Sequence, residues 1–278
     1  MTSSTGSTTP VSSTPASPTG DIRDLVREKY GAIVEGSKGC CGEEAGGCGC
    51  GDCGDTRSLG YTEEQIQAIP EGSNFGLGCG NPLGHAAAKP GETVLDLGSG
   101  AGIDVFIASR DVGPGGFAIG VDMTPSMVSR ARANAREGGY TNVEFRLGEI
   151  ERLPVADASV DLIISNCVIN LSPDKPAVFR EAARVLRPGA RLVVSDIVLS
   201  RELPESVRRS VESYAGCVAG ASLKDEYLRF IREAGFDEVE VLEERTYGVP
   251  ETLLPGADPA SVGDSLRSMK VRAVKPRA

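Results

Sequence analysis

One stretch limits the architectures open to this chain more than any other: Asp96-Leu97-Gly98-Ser99-Gly100-Ala101-Gly102. It joins a short Val/Leu run, Thr93–Leu97, that reads as a strand, to Ile103–Arg110, which reads as a helix. A glycine-rich turn between strand and helix sits where an open α/β sheet binds its ligand, outside the carboxyl ends of the strands. Glycine lets the backbone turn tightly and approach that ligand with no Cβ in the way.

The alternation continues downstream. Phe117–Asp122 predicts a second strand, and Pro125–Glu137 a second helix, with Thr124 as N-cap and Pro125 at the first helical position. Val143–Leu147 alternates as a strand. Asp161–Val168 is a nearly continuous apolar run, as expected of a central parallel strand buried on both faces. Lys175–Leu186 reads as a helix stopped by Pro188-Gly189, and Ala190–Ile197 as another buried strand. Five strands with crossover helices predict an α/β fold, a doubly wound, Rossmann-like parallel sheet. Beyond it, Leu203–Tyr214 and Leu223–Ala234 read as helices, and Glu238–Glu243 and Met269–Val274 as closing strands. Upstream, Asp21–Val34 predicts an amphipathic helix, and Thr62–Gln67 a short one with a Thr62/Gln65 capping box.

A nicotinamide dinucleotide site calls for G-x-G-x-x-G. Gly98 and Gly100 comply, but position 103 is Ile and the third glycine, Gly102, comes one residue early. Asp122 closes the second strand, placed to accept hydrogen bonds from both hydroxyls of a ribose. The D-x-G-x-G-x-G pattern with this second acid resembles the class I S-adenosylmethionine-dependent methyltransferases. The resemblance implies that Gly98, Ser99, Gly100 and Gly102 cradle the cofactor, with Asp96 toward its methionine ammonium and Asp122 on its ribose. Met123, Ile150 and Asn166 join the cofactor set; Ile150 packs on adenine and Glu151 takes its exocyclic amine.

Fold does not decide substrate; site residues do. Three cysteines stand apart from the rest. Cys167 lies at the carboxyl end of the Asp161–Val168 strand, the edge that faces the methyl donor. Cys79 is flanked by Gly78 and Gly80, on a loop where it is not expected to pack a core. Cys217 sits in the small-residue stretch Tyr214–Ala221. Three thiolates from distant segments suit a soft, three-coordinate centre, whereas zinc usually takes a fourth ligand. Cys167 taken alone is also compatible with a small buried hydrophobe.

These cysteine motifs resemble those of the arsenite methyltransferases. The residues that carry the likeness are Gly78-Cys79-Gly80, Asp96 to Gly100, Val121-Asp122-Met123-Thr124, Gly148-x-Ile150-Glu151, Ser165 to Leu171 with Pro173-Asp174-Lys175, and Gly216-Cys217-Val218-x-Gly220-Ala221. The resemblance implies Cys167 and Cys217 as arsenic(III) ligands and Cys79 as a third ligand or redox partner. It also implies an N-terminal cysteine, here Cys40 or Cys41, that pairs with Cys79. The expected activity is transfer of methyl groups from S-adenosylmethionine to arsenite or its thiol conjugates, an arsenic detoxification step. A thioredoxin-type or glutathione reductant reopens the resulting disulfide. The chain departs from the family pattern at Tyr214, where a Trp is usual; it has no Trp anywhere, and Cys48, Cys50 and Cys53 are additions.

The expected organisation is a disordered tail over 1–20, a Cys/Gly-rich segment over 21–60, the cofactor-binding domain over 61–200, and a substrate-side extension with closing strands over 201–278. The tail holds twelve Ser/Thr and three Pro and no charge, and has neither the basic nor the apolar region of a signal peptide. No apolar stretch approaches the roughly 18 residues of a membrane span. A cytoplasmic location is therefore expected, where eight cysteines point to metal or redox chemistry rather than structural disulfides. The net charge of −10 argues against nucleic acid as a partner. Two other readings stand beside this one. The same fold could methylate a small organic molecule. Alternatively, Cys40-Cys41 with Cys48-x-Cys50-x-x-Cys53 could bind zinc or capture metal. The lone His85 reads as structural, and Arg130, Arg132 and Arg136 as a solvated helix face.

Overall fold

The computed structural model describes residues 22–34, 36, 56–208, 210, 217–248 and 262–277. The expected tail and Cys40, Cys41, Cys48, Cys50, Cys53 and Tyr214 lie outside these residues. The described chain is a seven-stranded sheet with helices on both faces. Its strands are β1 (Thr93–Leu97), β2 (Phe117–Asp122), β3 (Val143–Leu147), β4 (Val160–Asn166), β5 (Leu186–Leu199), β6 (Asp237–Thr246) and β7 (Leu266–Val274). Their order is β3-β2-β1-β4-β5-β7-β6. The first five are mutually parallel, and β7 runs antiparallel to both β5 and β6. The predicted doubly wound sheet is therefore present, with the two closing strands paired on the β5 side.

Alternation along each strand sorts its side chains between two layers. Leu95, Leu97 and Ile163 face helices α6 (Lys175–Val185) and α8 (Lys224–Glu233), where Phe179 meets Tyr227 edge-on at 5.3 Å. Val94, Leu162 and Ile164 face α4 (Ile103–Asp111) and α5 (Pro125–Glu137), packing on Val105, Phe106 and Val128. Each buried Leu, Ile, Val or Phe contributes roughly 1.5–3 kcal/mol, so these layers hold the sheet rigid under its loops. A third cluster gathers at the carboxyl ends of the strands, and it contains Cys79, Cys167 and Cys217.

The shorter elements are α1 (Ile22–Val34), α2 (Glu63–Gln67), α3 (Leu83–Ala86) and α7 (Glu205–Arg208). The Thr62/Gln65 capping box forms on α2. One helix end needs correction. Helix α6 does not need Pro188-Gly189 to stop it. It ends at Val185 because Leu186 is already extended and begins β5; a register shift between Val160 and Leu162 absorbs the Pro-Gly pair. Of the helix expected over Leu203–Tyr214, the described part holds one turn, α7, after Pro204; residues 209 and 211–214 lie outside the described residues. Arg132 also departs from a purely solvated face, because it donates twice to the Phe145 carbonyl at the sheet edge. No helix among the described residues is long and apolar enough to cross a membrane.

Candidate active site

A cleft opens across the carboxyl ends of β1, β2 and β4, and the glycine turn forms its floor. Gly98 adopts φ +71°, and a Cβ there would lie 2.4 Å from Cγ2 of Val168. The Gly98 and Ser99 amides both donate to the Val121 carbonyl, pinning the turn to β2. Asp122 accepts from the Gly100 and Thr124 amides at 2.9 and 2.8 Å. These bonds orient its carboxylate at the cleft wall and leave lone pairs for a ligand. Met123 and Ile150 line the same wall. Glu151 is held by the Ser172 hydroxyl at 2.6 Å and by Arg23 at 3.4 Å.

The structure distributes the acids differently from their sequence positions. Asp96 is buried behind the turn, on the sheet face that packs α4, and does not line the cleft; Gly102 does not either. Asp104, two residues after Gly102 in the first turn of α4, does line it. Its Oδ1 accepts from the Tyr61 hydroxyl at 2.8 Å, and burial pushes its pKa up to about 6. Burial, then Asp104 and Asp122, holds Asp96 well above the usual carboxylate range. No cation is paired with either acid among the described residues. Sequence reading missed Asp104; the signal was an acid inside the otherwise apolar Ile103–Ser109.

Helix α1 closes the cleft from outside, through Val26, Tyr30 and Ile33. Arg27 reaches Glu149 at 2.6 Å and Arg23 reaches Glu151 at 3.4 Å, tying this helix to the loop after β3. The sequence assigned α1 no place at the site.

The three cysteines gather in one buried cluster at the end of the cleft, which Cys167 and Cys217 line and Cys79 backs. Cys167 follows β4, and its amide donates to the Ser195 carbonyl of β5 at 2.8 Å. Cys217 donates its thiol to the Cys167 carbonyl at 2.7 Å. Cys79 lies against Ser195, its sulfur 3.5 Å from that carbonyl. Contrary to expectation, Cys79 is buried, because its glycine neighbours let the loop press onto the sheet. A Cβ at Gly80 would fall 2.3 Å from the Ser195 hydroxyl, and one at Gly78 2.8 Å from the Asn166 amide. Asn166 fastens the loop, accepting from the Cys79 amide at 3.1 Å and donating to the Gly80 carbonyl at 2.6 Å and the Tyr61 hydroxyl at 3.1 Å. Its side-chain groups thus serve the loop, although it also borders the cleft.

Cys167 and Cys217 both sit at positive φ, +58° and +63°. Such a conformation costs an L-residue about 1–2 kcal/mol, and strain of this kind clusters at functional sites. Burial raises the Cys79 thiol and, with the adjacent Cys217 and Cys79 thiols, raises Cys167 further. Cys79 and Cys167 are therefore protonated at neutral pH and become thiolates only when a thiophilic centre displaces their protons.

Asp196 completes this corner and was not foreseen. Its carboxylate oxygen and the Cys79 and Cys167 sulfurs lie within 4.8 Å of one another. It accepts from Tyr227 at 3.0 Å, Asn170 at 2.9 Å and the Ile197 amide at 3.1 Å. Burial raises its pKa to about 7. The signal was a charge inside the apolar run Leu192–Leu199, where a carboxylate needs a partner. His85 lies away from this corner, 3.3 Å from Glu243, consistent with a structural role.

The comparisons with known proteins agree with this geometry. Residues 88–235 match the model of a methyltransferase domain. The chain is 46% identical to an arsenite methyltransferase of Halobacterium salinarum over 92% of its own length and 67% of that protein. It is 40% identical to an arsenite methyltransferase of Aquipseudomonas alcaligenes, over 68% of this chain and 56% of that one. Among solved structures, an arsenic(III) S-adenosylmethionine methyltransferase from Chlamydomonas reinhardtii superposes with a TM-score of 0.63 at 36% identity, covering 79% of this chain and 73% of that one. The chain belongs to the arsenite methyltransferase family of S-adenosylmethionine-dependent enzymes.

Proposed function

We propose that this protein methylates arsenic(III) held on the thiolates of Cys79, Cys167 and Cys217, a detoxifying reaction in the cytoplasm. The observation that carries this reading is the gathering of three cysteines, from three separate segments, in one buried cluster that meets the cleft at Cys167 and Cys217. The cleft fits S-adenosylmethionine. Gly98 keeps the turn tight where a Cβ would strike Val168, Asp122 is oriented for the ribose diol, and Met123 and Ile150 offer apolar surface to adenine. Asp104, a buried carboxylate without a cationic partner, suits the methionine ammonium. Bound there, the cofactor supplies a methyl group activated by its sulfonium.

The residues of this chain do the rest. Each thiol replaces one hydroxyl of arsenite, its proton leaving with that hydroxyl as water, so three As–S bonds form and three waters depart. The thiolates fix arsenic with its lone pair toward the cleft, ready for in-line attack on the methyl carbon. Positioning of this kind supplies most of the rate. Helix α1 and the buried corner keep water out. Methylation raises arsenic formally by two electrons. The thiol of Cys40 or Cys41 returns them by attacking the arsenic-bound sulfur of Cys79: the S–S bond forms as the As–S bond breaks, its electron pair stays on arsenic, and the attacking thiol releases its one proton. A thioredoxin-type or glutathione thiol reopens it.

Replacing Cys167 by Ser is expected to abolish arsenite methylation, followed by mass spectrometry of the products, while leaving cofactor affinity within about twofold. Undiminished turnover in that variant sinks the thiolate reading. Turnover with a small organic acceptor and none with arsenite would instead favour the broader methyltransferase reading.

A further inference from the structure

The corner that holds the three thiols contains one donor more than arsenic(III) needs. A three-coordinate centre with a lone pair is satisfied by three sulfurs. Asp196 stands beside them, its oxygen within 4.8 Å of the Cys79 and Cys167 sulfurs, and the Cys217 thiol is hydrogen-bonded to the backbone of Cys167. Tyr227, Asn170 and the Ile197 amide already aim the Asp196 carboxylate. They use three of its roughly four lone-pair sites and leave one to face the sulfurs. Orientation by such outer partners is what a metal-ligating carboxylate requires. The Asn170 Oδ1 in the same pocket is fully buried and has no hydrogen-bond partner.

We propose that Cys79, Cys167, Cys217 and Asp196 form a four-donor S3O site for a soft divalent cation such as Cd2+, and that this cation is a dead-end competitor of arsenic. The inference rests on the three-thiol reading above. Thiolate-rich tetrahedral sets select soft or borderline divalent ions. On binding, each ligating thiol releases its proton to solvent and no electrons move. The bound cation presents no lone pair to a methyl group, so the site is blocked rather than turned over. Asp196 thereby separates the two occupants: the cation uses it and arsenic does not.

The test uses the full chain with Cys40, Cys41, Cys48, Cys50 and Cys53 replaced by Ser, kept reduced, and Cd2+ as the probe. Ultraviolet thiolate-to-cadmium absorption is expected to saturate at one ion per chain, and cadmium X-ray absorption to show three sulfurs and an oxygen. Bound Cd2+ should exclude arsenite mole for mole. Asp196→Asn should weaken Cd2+ at least tenfold and leave arsenite affinity within twofold. An all-sulfur shell, simultaneous binding of both, or equal Cd2+ affinity in Asp196→Asn overturns the proposal. If the variant does not fold, the absorption spectrum of the Asp196 chain decides alone. Formation of the S3O complex by a chain that fails to bind arsenite supports the cation site and sinks the arsenic reading together with the competition.

Discussion

Asp104 is buried against Tyr61 with no cation beside it, so its charge is costly until a cationic ligand arrives. Its pKa, raised by burial to about 6 from an ordinary 3.8, makes the sign of the pH dependence definite. The folded protein binds this proton more tightly than the unfolded chain does. Asp104 therefore subtracts stability as pH rises from about 4 through 6, by roughly 1–3 kcal/mol once fully ionised. Without cofactor, Asp104→Asn should be more stable than the parent at pH 7.5, with the gap closing below pH 6, as read from denaturant midpoints. The same variant should raise KM for S-adenosylmethionine about tenfold or more, the scale of a lost charged hydrogen bond of about 1.5–3 kcal/mol. A KM that stays unchanged removes Asp104 from the cofactor site.

At the scale of elements, α1 is a wall of the cleft joined to the loop after β3 by three partly exposed ion pairs, Arg23 with Glu149 and Glu151 and Arg27 with Glu149. Exposed pairs contribute little to global stability, about 0–1 kcal/mol each. Their position gives them another consequence: they hold the helix down over the bound cofactor. Replacing both arginines by Ala should move the denaturant midpoint hardly at all while raising the cofactor dissociation rate several-fold. High salt should produce the same acceleration in the parent and not in the variant. Stopped-flow displacement of S-adenosylhomocysteine reads both. The glycine turn is the complementary rigid element, where Val168 packs so close over Gly98 that only hydrogen fits.

For the whole molecule, the thiol corner exists only when the sheet is assembled. Cys79 comes from a loop before β1, Cys167 from the end of β4, and Cys217 from the segment between α7 and α8. A ligand that bridges all three therefore binds the folded state preferentially and stabilises it by mass action. With the five cysteines of 40–53 replaced by Ser, arsenite at about 100 times its Kd should add about 2.7 kcal/mol. That corresponds to a rise in Tm of several degrees for a chain of this size. Calorimetry should find the rise largely gone in Cys217→Ser. An equal rise in that variant would show that arsenite acts elsewhere.

Local pattern was enough to locate β1, β2 and β3 and helix α5 to the residue, because strand and helix periodicity and the Thr124-Pro125 start are written within a few positions. It also identified the glycine turn, Asp122 and the three isolated cysteines, since each carries a short motif. It did not reveal that Cys79 is buried, that Asp104 rather than Asp96 lines the cleft, that α1 covers it, or that Asp196 stands against the thiols. Those facts depend on which strands become neighbours. Asn166 can fasten Cys79, and Ser195 can receive both Cys79 and the Cys167 amide, only because β4 and β5 pair in register at the centre of the sheet. The chemistry of each residue was thus determined along the chain. Its partners were decided by long-range packing, which no local periodicity encodes.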